Sequence, residues 1–222
     1  MTKIFETTFD ILYLITVVTL GIKMIWNAGN VKQYRLFGYM AVVLGAGDAF
    51  HLVPRIYAMW TTGMEANASM LGFGQFITSI TMTIFYIMLY HIWRINYKIS
   101  GQKKLTFFIY LLAVLRIALC FAPQNQWFSL NSPLIWSIYR NIPFAVMGCI
   151  ILILYYQQSK KSKDKEFRFM WLAIILSFAF YIPVVLFSNI FPPIGMLMIP
   201  KTCAYVWIVW MGFRQKKDPV GI

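Results

Sequence analysis

Apolar residues in this chain fall into seven long runs, and most polar residues fall between them. The runs cover approximately 9–27, 36–60, 71–95, 105–122, 133–157, 168–190 and 194–213. A helix rises about 1.5 Å per residue, so about 20 apolar residues cross a hydrocarbon core roughly 30 Å thick. Each run therefore predicts one membrane-spanning helix. The connections are short, no internal repeat is visible and no soluble domain is appended. The expected fold is an all-α, seven-transmembrane-helix bundle, one domain over residues 1–222.

Composition removes the alternatives. Hydrophobic residues make up 60% of the chain and charged residues 12%, against roughly 45–50% and about 25% in ordinary globular proteins. Mean hydropathy is +0.66. A water-soluble fold has no means of hiding that much apolar surface, and disorder requires low hydrophobicity. No small-residue cleavage site follows the first run, which is expected to stay as a span rather than be removed as a signal peptide.

The net charge of +13 would suit nucleic acid, but the positions of the charges point to a membrane instead. Fifteen of the twenty Lys and Arg, from Lys23 to Lys217, lie in or beside the connections after runs one, three and five and in the C-terminal tail. The other three connections hold none. The positive-inside rule then puts the N-terminus outside and the C-terminus in the cytoplasm of a cell membrane. The cluster from Lys160 to Arg168 reads as a topology signal, with contact to anionic lipid as the second reading. Membrane lipids are the expected surroundings, no nucleic-acid partner is expected, and homo-oligomerisation is left open. Cys120, Cys149 and Cys203 sit in apolar runs without metal-like or redox-like spacing, and read as small core residues.

Lys3 apart, four cations remain: Arg55, Arg116, Arg140 and Lys201, all inside spans. A mid-membrane charge costs at least about 2.5–3.5 kcal/mol on insertion scales, so it faces a cavity or a partner. Counting residues along each helix places all four toward the outer side. They predict one positively charged pocket, open to the outside and built on spans 2, 4, 5 and 7. Gln75, Thr78, Ser79, Ser137, Asn141, Tyr181 and Tyr205 are expected to line it. Trp127 is expected either to lie over the mouth of the pocket or, as the favoured reading, to act as an interface anchor. Pro54, Pro143, Pro183 and Pro200 would each remove a helical hydrogen bond and open space at this level.

Asp48 is the only carboxylate deep in any span. Asp48, His51 and Arg55 are spaced i, i+3, i+7 and share one helical face. Asp48 could pair with Arg116 or Lys201 as a plain clasp between helices. One acid cannot neutralise four cations, however, and Glu6 and Asp10 could meet only two at the rim. The remaining positive charge suits an anionic small molecule or lipid headgroup.

Three chemistries deserve comparison with this pattern. Seven spans resemble the membrane hydrolases of the alkaline ceramidase and adiponectin receptor class, which use three histidines on zinc. This chain has two, His51 and His91, placed far apart along the membrane normal, so no metal is expected. Lys201 alone in the last span, beneath an outside N-terminus, resembles a microbial rhodopsin. That resemblance implies retinal on Lys201 with Asp48 as counter-ion, although span 3 carries no acid. Gly47-Asp48 on a span is similar to the lysoplasmalogenase-like hydrolases, in that dipeptide only. The reading favoured by the sequence is a ligand pocket of a transporter or sensor. Its alternative is a lipid-active hydrolase or transferase using Asp48 or His51 as catalytic base, with the cations holding an oxyanion.

Overall fold

The computed structural model describes residues 3–129, 132–161, 166–188 and 190–215. Lys163, Lys165, Lys216 and Lys217 of the expected topology signals lie outside them. The described residues are helical with no strand, and seven helices are long and apolar enough to cross a membrane. They are α1 (Lys3–Trp26), α2 (Lys32–Trp60), α3 (Ala68–Asn96), α4 (Lys103–Phe121), α5 (Leu134–Lys161), α6 (Met170–Phe187) and α7 (Met198–Arg214). One helical turn, Gly63–Ala66, joins α2 to α3. Together they suggest a multi-pass membrane protein.

Each apolar run is matched by one helix. The largest departure is at α1, which begins six residues early; α2 begins four residues early, α5 ends four residues late and α7 begins four residues late. A helix continues through polar residues as readily as through apolar ones, so hydropathy understates α1. The start of the seventh run is instead a tighter helical segment, Pro192–Leu197. Pro200 therefore stands in the first turn of α7, where an N–H has no intrahelical partner in any case. The expected helix-breaking role applies to Pro54, Pro143 and Pro183, which lie inside α2, α5 and α6.

Successive helices pack side by side, and α7 returns to α1 and α2, closing a ring. Helix α3 also reaches α5 across the interior. Large apolar side chains such as Ile15, Phe107, Val114, Ile153 and Phe187 point outward. That surface suits lipid and would aggregate in water. Cys149 and Cys203 belong to it, so only Cys120 is the buried cysteine expected.

Packing differs between the two ends. Phe37, Met40, Leu89, Tyr90, Tyr155, Phe167 and Ile208 are fully buried, and all lie toward the end that carries the basic connections. Side chains fill the bundle there. The opposite end, with the connections at 61–67, 122–133 and 188–197, is hollow.

Two glycines shape that hollow end. A Cβ on Gly74 would strike the Phe50 carbonyl and the Cα of His51, so only glycine lets α3 lie this close to α2. The Thr78 hydroxyl then reaches across and donates to the Gly47 carbonyl at 3.0 Å. A Cβ on Gly72 would overlap the Trp127 carbonyl, so its absence lets the α4–α5 connection tuck against α3.

Candidate functional site

The hollow is a cavity of about 430 Å³ reached by α2 through α7. Its wall includes His51, Arg55, Gln75, Arg116, Arg140, Asn141, Tyr181, Lys201 and Tyr205. Thr78, Ser79 and Ser137 line it too. Of the residues singled out from the sequence for a role at the site, the acids Asp48, Glu6 and Asp10 are missing from this wall.

The cations differ in how they are held. Arg55 is half-exposed, and its Nε donates to Glu6 Oε1 at 2.5 Å, pinning α2 to α1. Arg116 is only 2% exposed. Its guanidinium lies over the Phe144 ring with Cζ 3.5 Å from the centroid. Its Nε and Nη1 are buried and have no hydrogen-bond partner. Arg140 stacks on Trp127, Cζ to centroid 4.2 Å. Lys201 Nζ stands 5.2 Å from the Tyr181 ring centroid and 5.5 Å from that of Tyr205. No carboxylate among the described residues lies within 4 Å of the charged groups of Arg116, Arg140 or Lys201. Aromatic faces, which carry partial negative charge, take that place.

The acids collect on the other side of α2. Asp48 Oδ2 accepts from the Tyr13 hydroxyl at 2.5 Å, so it is turned toward α1. It feels the charge of Lys201 without forming a direct ion pair. The clasp to Arg116 or Lys201 weighed from the sequence is therefore absent. Asp10 is buried in α1, with Oδ2 unpartnered, and pairs with none of the cavity cations. Among the acids expected at the rim, Glu6 alone does so.

Second contacts hold the cavity groups in place. Asn125 is fully buried in the α4–α5 connection. Its Nδ2 donates to the carbonyls of Leu119 and Ala122 at 2.6 and 2.9 Å, satisfying groups that the end of α4 leaves open. Its Oδ1 accepts from Arg140 Nη1 at 2.9 Å. Trp127 Nε1 donates to the Cys120 carbonyl at 2.8 Å. Trp127 is thus buried in the cavity wall rather than anchored at an interface. Asn141 Oδ1 accepts from the Tyr181 hydroxyl at 3.0 Å, joining α5 to α6. Beneath Arg116, Tyr86 meets Phe144 edge-on at 4.9 Å and Phe178 at 5.7 Å, making an aromatic floor.

The sequence reading passed over Asn125 and Phe144. Asn125 had a signal: Ala122-Pro123-Gln124-Asn125 ends a helix, where an amide side chain serves as cap. Phe144 had none, being one aromatic residue among many in its run. His51 reaches the cavity with Nδ1 unpartnered, while His91 bonds Tyr110 on the lipid-facing side of α3 and α4. No group of three metal-ligating side chains forms among the described residues.

The fold and cavity define a class: a seven-helix bundle of membrane-spanning type with a cationic hollow at one end. No family model matches the chain, and no curated protein or solved structure is significantly similar to it.

Proposed function

We propose that this membrane protein captures an anionic small molecule or lipid headgroup in the cavity, as a transporter or a sensor. The observation that carries this reading is Arg116, almost fully buried with two nitrogens unpartnered and no carboxylate among the described residues within 4 Å. An isolated buried charge costs several kcal/mol. An oxyanion between Arg116, Arg140 and Lys201 would offset that cost and accept the idle N–H groups. The bias of Lys and Arg to the opposite end supports a cavity open to the outside of the cell membrane.

A hydrolase is the second reading, favoured by His51, which lines the same cavity as the cations and has its Nδ1 unpartnered. Asp48 weighs against it, because Tyr13 holds that carboxylate out of the wall. A Schiff base on Lys201 would put a second cation-bearing group beside Arg116 without a close counter-ion, which weighs against retinal.

The test is mass spectrometry of what co-purifies with the protein in neutral detergent, beside the double variant Arg116→Ala/Arg140→Ala, with an absorbance scan. The expected result is an anion retained by the wild type and lost by the variant. An empty wild type whose melting temperature is unmoved by phosphate, carboxylate or anionic lipid overturns the proposal. A visible band that disappears in Lys201→Arg would replace it with the retinal reading.

A further inference from the structure

A second hollow of about 190 Å³ lies between α5 and α6. Ile142 and Ala145 form one side and Ile182 lies on the other. Ile142 and Ile182 are exposed on the outer surface of the bundle, where lipid would stand. Asn141, Phe144, Tyr181 and Val185 line this groove and the cationic cavity alike. The two spaces therefore share one partition. The polar groups on it, the Asn141 amide and the Tyr181 hydroxyl, are bonded to each other. Beyond them the groove offers only hydrocarbon.

We propose that the ligand is a single-chain anionic amphiphile. Its oxyanion head sits among Arg116, Arg140 and Lys201, and its alkyl chain leaves between α5 and α6 through the groove. This deepens the anion-binding reading above and rests on it. A small inorganic anion would use the cavity and leave the groove idle. A two-chain lipid would need a second furrow, and this groove is one helix pair wide. Phe144 joins the two halves: one face carries Arg116, and the ring also borders the groove. Such a ligand enters sideways from the bilayer, so its chain never has to cross water.

The experiment measures binding of inorganic phosphate, butyl phosphate and dodecyl phosphate to the full chain in phosphatidylcholine nanodiscs. Wild type is compared with Ala145→Phe, which fills the groove and leaves every cation in place. Ala145→Leu is the milder plug if the larger one does not fold. Each methylene that the plug holds in the wet polar cavity, instead of letting it pass into hydrocarbon, weakens binding about fourfold. The expected result is dodecyl phosphate weakened about tenfold or more by the plug, from two or more displaced methylenes. Inorganic and butyl phosphate should bind both proteins equally. Dodecyl phosphate binding unchanged by either plug overturns the groove assignment. Equal affinity for all three probes in the wild type makes the ligand a free anion; that overturns the amphiphile and leaves the anion pocket standing. No binding of any probe removes both.

Discussion

Arg116 on α4 and Phe144 on α5 meet face to face, the guanidinium carbon 3.5 Å from the ring centroid. The ring shields one face of the charge, while Nε and Nη1 of the guanidinium edge are left without partners. A cation–π contact of this kind is worth about 2 kcal/mol when desolvated. That is less than the cost of burying the charge. Arg116 is thus held in a fixed orientation without being neutralised.

Replacing Arg116 by Met should consequently stabilise the empty protein while abolishing anion binding. Removing a buried, unpaired charge from a membrane helix is expected to gain roughly 1–3 kcal/mol. Thermal unfolding in neutral detergent reads this as a raised melting temperature. A variant that melts well below wild type would mean that Arg116 is a structural clasp.

Asn125 offers a change of sign at one atom. In Asn125→Asp the group that bonds Arg140 becomes a carboxylate and forms an ion pair with it. The same change puts an oxygen against the Leu119 and Ala122 carbonyls, which now accept from Nδ2. Loss of those bonds should destabilise the protein by about 2–3 kcal/mol. Anion affinity should fall, because one of three cations is neutralised from within. Phosphate titration of the folded variant checks this, and unchanged affinity would remove Arg140 from the site.

The Tyr13–Asp48 bond keeps the one deep acid away from the cations. Tyr13→Phe removes it, at a cost of about 1.5–3 kcal/mol for a bond to a charged acceptor. Asp48 already feels Lys201, and once released it should turn toward that ammonium. The expected readout is weaker phosphate binding in Tyr13→Phe, restored in Tyr13→Phe/Asp48→Asn. Wild-type affinity in the single variant would show that Asp48 has no bearing on the cavity.

Sidedness can be read with thiol labelling. Gln124 is exposed at the cavity end, whereas Cys120 is buried and Cys149 and Cys203 lie within spanning helices. Gln124→Cys in intact cells should react with a membrane-impermeant maleimide, and wild type should not. Labelling only after the cells are opened would place the cavity on the cytoplasmic side.

Much of the architecture was legible because hydrophobic length is a local property. A membrane requires every backbone group to bond within its own helix, so seven apolar runs have one regular solution. The unusual cations were legible for a related reason: Arg116, Arg140 and Lys201 contradict their surroundings, and that cost must be met by a cavity or a partner. Helix ends were less clear, as at Pro192–Leu197, because hydropathy does not distinguish a tight helical turn from an α-helix.

Charge placement along the chain, then, was determined by the sequence alone: seven helices, basic connections at one end, and cations at similar depth on different spans. Only the tertiary structure decided their partners. Helix rotation gives Asp48 a hydrogen bond to Tyr13 in place of an ion pair with Lys201. The close approach at Gly72 brings Asn125 and Trp127 beneath Arg140, and the packing of α4 against α5 sets Phe144 under Arg116. Those choices depend on contacts between residues far apart in the chain, whose energies differ by only a few kcal/mol. Spacing within one helix carries no record of them.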